Sequence, residues 1–114
     1  MAHLLIVDDD AGTLASLARA FRLAGHEATV CDNAARALEL LKSQPFDMLL
    51  SDVVMPGAID GRELAVHARQ RRGVPRVVLM SGYAPDLGQP TDVPMLAKPF
   101  TKRQLAALLE EDSA

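Results

Sequence analysis

Asp8, Asp9 and Asp52 are carboxylates placed where short aliphatic runs stop. His3-Leu4-Leu5-Ile6-Val7 leads into Asp8-Asp9-Asp10, and Met48-Leu49-Leu50-Ser51 leads into Asp52, with Pro56-Gly57 turning the chain soon after. Runs of this length read as strands covered on both faces, so each acid is delivered to a strand's C-terminal end, facing a loop and water. Two more polar residues hold equivalent places: Ser81 follows Arg76-Val77-Val78-Leu79-Met80, and Lys98 follows Val93-Pro94-Met95-Leu96-Ala97. Three acids gathered within about 5 Å would repel by ~3 kcal/mol per ionised pair at an effective dielectric of about 20, so something positive must join them. Oxygen-only ligands with room for water favour Mg²⁺ over a transition metal, and Mg²⁺ normally works beside phosphate oxygens. Ser81 and Lys98 would then supply a hydroxyl donor and a point charge for a phosphoryl group. Taken singly, each has a plainer reading. An acid after a strand often caps a helix, and Ser-Gly and Lys-Pro are ordinary loop pairs.

Whether these residues can meet depends on the elements that carry them. Residues 13–23 hold Leu14, Leu17, Ala18 and Phe21 at helical spacing, with Asp10 placed to cap the first turn and Gly25 to end it. A second strand over 28–31 follows, then a helix opened by Asp32-Asn33, carried by Ala34, Ala37, Leu38 and Leu41 and stopped by Pro45. After the Asp52 strand, residues 61–72 form a helix with Leu64, Ala65 and Ala68 inward, and residues 76–80 a fourth strand. The next helix should be short or missing, because Pro85, Gly88 and Pro90 interrupt it. Pro94 shortens the fifth strand and suits it to an edge. Thr101 caps a last helix through Leu105, Leu108 and Leu109.

Strands alternating with helices imply an α/β fold with a parallel sheet and right-handed crossovers. In a flavodoxin-like (βα)5 arrangement of order 2-1-3-4-5, strands one and three adjoin at the topological switch point. Asp8, Asp9 and Asp52 then share one crevice.

The chain has 114 residues, 49% of them hydrophobic, which is enough for one domain over residues 1–114 and too little for two. A net charge of −3 with interspersed signs leaves no basic footprint for nucleic acid and no polybasic anchor for a membrane. Cys31 is the only cysteine, which excludes a disulfide within the chain, and its apolar neighbours make it a buried strand residue. His3, His26 and His67 sit on separate elements without metal-ligand spacing. No apolar stretch reaches the roughly 18 residues of a membrane span, and a cytoplasmic location is expected.

Asp8-Asp9, Asp52 with Met55-Pro56, Asp60-Gly61, Ser81-Gly82 and Lys98-Pro99-Phe100 together resemble a response-regulator receiver domain of two-component signalling, from the first strand to the last helix. The resemblance implies that Asp52 accepts a phosphoryl group from the phosphohistidine of a histidine kinase or phosphotransfer protein. It implies Mg²⁺ held by Asp8, Asp9, Asp52 and the backbone carbonyl of Val54, with Ser81 and Lys98 on phosphoryl oxygens and a cis Lys98-Pro99 bond. Such a domain signals by its own phosphorylation, turns over no external substrate, and passes the signal to a downstream protein target as a monomer or weak dimer.

Two positions depart from the family pattern. Met95 stands where an aromatic residue is usual, and Gly57-Ala58-Ile59 lengthens the loop after Asp52 by one residue. The curtailed fourth helix is similar to those of stand-alone receivers and of receivers in hybrid histidine kinases. Two other readings stay open: a degenerate receiver that binds partners without phosphorylation, and a small Mg²⁺-dependent phosphatase. The phosphatase would need a second acid close behind its nucleophile, and Val53-Val54 offers none.

Overall fold

Each aliphatic run becomes a strand in the computed structural model, which describes residues 2–53, 61–70, 76–81, 95–97 and 103–104. The order along the chain is β1 (His3–Val7), α1 (Ala11–Leu23), β2 (Glu27–Cys31), α2 (Ala34–Ser43), β3 (Met48–Asp52), α3 (Gly61–Arg69), β4 (Arg76–Ser81) and β5 (Met95–Ala97). The strands pair in parallel in the order β2-β1-β3-β4-β5, so the fold is flavodoxin-like, with the short β5 at an edge. The expected fourth helix falls within residues 82–94, outside the described residues. Of the last helix expected after Thr101, only Arg103 and Gln104 are described, and both are helical.

The core divides by the two-residue period of the strands. Leu5, Val7, Leu49 and Leu79 pack beneath α2 and α3, against Ala37, Leu41, Leu64 and Ala68. Leu4, Ile6, Met48, Leu50, Val78 and Met80 face the other way, onto Leu14, Leu17 and Phe21 of α1. The central strands are covered on both faces, and Leu4 to Val7 and Met48 to Leu50 are fully buried. Their ends are correspondingly rigid platforms for the residues that follow.

Register is set at the far end of the sheet. The Asp47 carboxylate accepts the His3 N–H at 2.7 Å, while the Asp47 N–H donates to the His3 carbonyl at 2.8 Å. With β1 and β3 locked there, Val7 lies opposite Ser51, and Asp8 and Asp52 are the next residues on their strands.

Local chemistry sets the helix ends. α1 starts two residues earlier than its apolar spacing implies, because the Asp10 side chain accepts the Thr13 N–H and supports the turn before the first buried residue. At its other end Gly25, at φ 92°, donates to Arg22 O, and the His26 N–H donates to Phe21 O, a Schellman closure that needs a left-handed residue. Gln44 is extended, as a residue before proline must be, and ends α2.

Cys31 is buried at the end of β2, and its thiol donates to the Asn33 carbonyl at 3.6 Å. Burial pushes the thiol from its ordinary 9.0 up to about 11. Iodoacetamide at pH 8 is therefore expected to modify the native protein far more slowly than the urea-unfolded chain, as followed by intact mass. The raised value also means that stability falls as the pH climbs from 9 towards 11, since only the unfolded thiol ionises early in that interval. Cys31→Ala should remove this alkaline loss.

Candidate functional site

The C-terminal ends of β1 and β3 meet at the switch point, where the connections leave the sheet on opposite faces. There, carboxylate oxygens of Asp8, Asp9 and Asp52 all lie within 4.8 Å of one another. Asp8 and Asp52 are in phase with the strand residues that face α1, so both acids arise from the same side of the sheet. Their environments differ: Asp8 is fully buried, Asp52 half-buried and Asp9 exposed.

The three consecutive acids after β1 have been sorted by the backbone. Asp10 turns its carboxylate to α1, accepting the Thr13 N–H at 2.9 Å and the Thr13 hydroxyl at 2.6 Å. Its own N–H donates to Asp8 Oδ1 at 2.9 Å. Asp10 thus caps the helix and, through its amide, steadies the buried acid. The part played by Thr13 was not readable from the apolar spacing, although a hydroxyl three residues after a capping acid is a recognisable signal. Asp10→Ala is expected to cost about 1 kcal/mol of stability, seen as a lower midpoint in urea unfolding with an unchanged slope.

The backbone around Asp52 is held from three sides. Val53 N–H extends the ladder by donating to Met80 O at 3.0 Å, and the buried Ser51 hydroxyl donates to Asp52 O at 3.0 Å. The Gly61 N–H donates to Val53 O at 2.9 Å, tying the start of α3 to the residue that follows β3. Ser81 ends β4, one position beyond Met80, which pairs with Asp52, and so lies at the same end of the sheet. Val54 and Lys98 lie outside the described residues. Ala97, the residue before Lys98, is the last of β5 and pairs with Ser81.

The donor set fits a hard divalent cation. It consists of oxygen ligands only, and the exposed Asp9 leaves a side open to water, as an ion that keeps part of its hydration requires. Asp8 and Asp52 repel by about 3 kcal/mol at this separation when both are ionised, with an effective dielectric of about 20. A cation between them reverses that sign.

Among the described residues no helix is long and apolar enough to cross a membrane.

Comparison with known proteins matches the geometry. The family model for the response regulator receiver domain covers residues 4–110. The response regulator receiver protein CpdR of Brucella abortus is 36% identical over 116 residues, covering 97% of this chain and 96% of that protein. Among solved structures, the receiver domain of the hybrid histidine kinase CckA is 32% identical, with a TM-score of 0.81 over 98% of this chain and 99% of that one. The response regulator TrrA of Thermotoga maritima, solved with Mg²⁺-BeF, shares the fold with a TM-score of 0.86 at 24% identity, over 98% and 99% of the two chains. The family match takes in almost all of the sequence, and the chain belongs to the receiver domains of two-component response regulators.

Proposed function

We propose that the whole chain, residues 1–114, forms one receiver that accepts a phosphoryl group on Asp52, in an Mg²⁺-dependent reaction, from the phosphohistidine of a histidine kinase or a phosphotransfer protein. The observation that carries this reading is the meeting of the Asp8, Asp9 and Asp52 carboxylates within 4.8 Å at the switch point. Of the three, Asp8 is too buried to be approached by a partner and Asp9 stands on a loop, whereas Asp52 is half-buried at the end of the central strand of the sheet. A nucleophile is best held on a rigid support with one side open.

Asp8, Asp9, Asp52 and the Val54 carbonyl would hold Mg²⁺, which supplies positive charge for the phosphoryl oxygens when bound. An Asp52 carboxylate oxygen attacks phosphorus in line, the phosphorus–nitrogen bond of the donor breaks, and its electron pair returns to the imidazole. Ser81 donates its hydroxyl to one phosphoryl oxygen, and the Lys98 ammonium pairs with another. Later attack of water on phosphorus releases phosphate and restores the carboxylate. The phosphorylated aspartate carries a charge of about −2, enough to draw the Ser81 hydroxyl inward and shift the loop that follows β4. On this reading the chain works in the cytoplasm as an adaptor, phosphate shuttle or phosphate sink. It is a monomer or weak dimer, hands its signal to a protein target, and turns over no external substrate. CpdR, a receiver protein that matches 97% of this chain, supports the receiver reading. The hybrid-kinase receiver supports a kinase as phosphodonor.

Incubation with acetyl phosphate and Mg²⁺ tests the reading. One phosphoryl group per chain, formed only with metal, is the expected result. Continuous release of phosphate from many phosphomonoesters would point to a phosphatase instead. No modification, with retained binding to a kinase, would point to a degenerate module.

A further inference from the structure

The start of α3 lies closer to the Asp52 backbone than any residue with a side chain allows. A Cβ on Gly61 would overlap the Asp52 carbonyl oxygen and would sit 2.8 Å from both Asp52 C and Val53 Cα. All three are backbone atoms, so no rotamer change could relieve the overlap. Nor is either partner free to retreat. Val53 is tied to Met80 O, and Asp52 O takes the Ser51 hydroxyl. α3 is seated by the buried Leu64, Ala65 and Ala68, two of them small enough to bring the helix close to the sheet. The backbone of Gly61 is not in the left-handed region, so conformational freedom is not what glycine provides here. What it provides is proximity: the Gly61 N–H reaches Val53 O at 2.9 Å, and the peptide after Asp52 is held at both its ends.

We infer that Gly61 is a positioning residue for the Asp52 site, pressing α3 onto the Asp52–Val53 backbone so that the carboxylate keeps its place beside Asp8 and Asp9. The inference rests on the reading of Asp52 as an Mg²⁺-dependent phosphoacceptor, and extends it to a residue that touches neither metal nor phosphoryl group. A methyl group at position 61 must push the strand end and the helix apart, and a displacement of about 1 Å at a reacting group can cost about 100-fold in rate. Gly61→Ala is therefore expected to weaken Mg²⁺ binding about tenfold or more and to slow phosphorylation by acetyl phosphate by about 100-fold in a chain that still melts cooperatively.

Gly25→Ala is the control. Gly25 has φ 92° and open space around it, so alanine there strains the backbone and lowers stability at the opposite end of the sheet. If Gly25→Ala loses stability but keeps wild-type Mg²⁺ affinity and phosphorylation, while Gly61→Ala loses both, the positioning role stands. If folded Gly61→Ala binds Mg²⁺ as wild type does, it is overturned. Hydrogen exchange in the wild-type chain gives a readout that does not depend on the variant folding. Protection of the Gly61 amide should rise on titration with MgCl₂, with the same midpoint as the change at Asp52, and an unresponsive Gly61 amide overturns the role. A wild-type chain that neither binds Mg²⁺ nor takes up phosphate would defeat the phosphoacceptor reading itself, whereas a wild-type chain that does both confines any failure to Gly61.

Discussion

Asp52→Asn is expected to abolish phosphoryl uptake completely while leaving a folded and slightly more stable protein. The amide is close in size to the carboxylate, so the end of β3 keeps its packing, and the Val53, Ser51 and Gly61 contacts belong to the backbone and are untouched. What disappears is the oxygen proposed as the nucleophile. An amide oxygen is a far weaker nucleophile, and no neighbour can replace it: Asp8 is fully buried, and Asp9 lies on the loop after β1. Because one of three converging acids becomes neutral, the metal-free variant should melt a few degrees higher than wild type, on the scale of about 4 °C per kcal/mol for a domain of this size. Intact mass after incubation with acetyl phosphate and Mg²⁺, read beside a thermal melt, checks both parts. A phosphoryl group on the variant equal to that on wild type would place the acceptor elsewhere and end the Asp52 assignment.

Asp8→Asn tests the proposed metal site separately from the proposed nucleophile. The asparagine Oδ1 can still accept the Asp10 N–H that now reaches Asp8 Oδ1 at 2.9 Å, so the loop after β1 should keep its course. The buried charge is gone, and with it the repulsion between Asp8 and Asp52, about 3 kcal/mol for an ionised pair at an effective dielectric of about 20. Without metal, this variant should be the more stable by about 1–3 kcal/mol, since a buried charge and its like-charged neighbour both oppose folding. With metal the order should reverse. Mg²⁺ at 100 times its dissociation constant stabilises the wild-type chain by about 2.7 kcal/mol through mass action alone, and the variant should gain little. Thermal melts with and without MgCl₂ for the two proteins give four numbers. Equal Mg²⁺-induced shifts in the two would remove Asp8 from the metal site, and a variant less stable than wild type without metal would show that the carboxylate is held by compensating contacts.

The two variants also discriminate among mechanisms. Loss of phosphorylation in both, with Mg²⁺ stabilisation lost in Asp8→Asn, is the pattern of a metal-assisted phosphoacceptor. Loss in Asp52→Asn alone would mean that charge neutralisation comes from elsewhere, with Lys98 the first residue to substitute.

Much of this was legible in the residues themselves. Aliphatic runs of strand length, each ending on a polar side chain, announce buried strands whose C-terminal ends face solvent, because only a parallel sheet covered on both sides tolerates so unbroken an apolar run. Leu14, Leu17, Ala18 and Phe21 announce α1 by their spacing, and all four are buried. Gly25 and Pro45 end helices for local reasons, a left-handed cap and a restricted preceding residue, and such reasons act over a few residues and can be read there. The roles proposed for Asp52, Ser81 and Lys98 rest on the three taken jointly, since a single acid or hydroxyl after a strand is commonplace.

Asp8-Asp9-Asp10 shows where local reading stops. Three identical side chains in a row carry no label. Their division into a buried acid, an exposed one and a helix cap follows from which carboxylate Thr13 reaches and which one the Asp10 N–H reaches. Gly61 is a second case. In sequence it is a glycine after an aspartate at a helix start, open to a conformational explanation. Its real constraint is the Asp52 carbonyl, which belongs to a different element and approaches only once α3 has docked.

By itself, then, the sequence determined the kinds of element, their order and the chemical groups at their ends, because hydrophobic period, caps and turn residues act within one stretch of chain. Tertiary structure alone decided that the Asp8, Asp9 and Asp52 oxygens stand within 4.8 Å of one another, and that a Cβ at position 61 would overlap the Asp52 backbone. The physical reason is that both depend on strand register and helix docking, which bring together backbones far apart along the chain and are set by packing over the whole core.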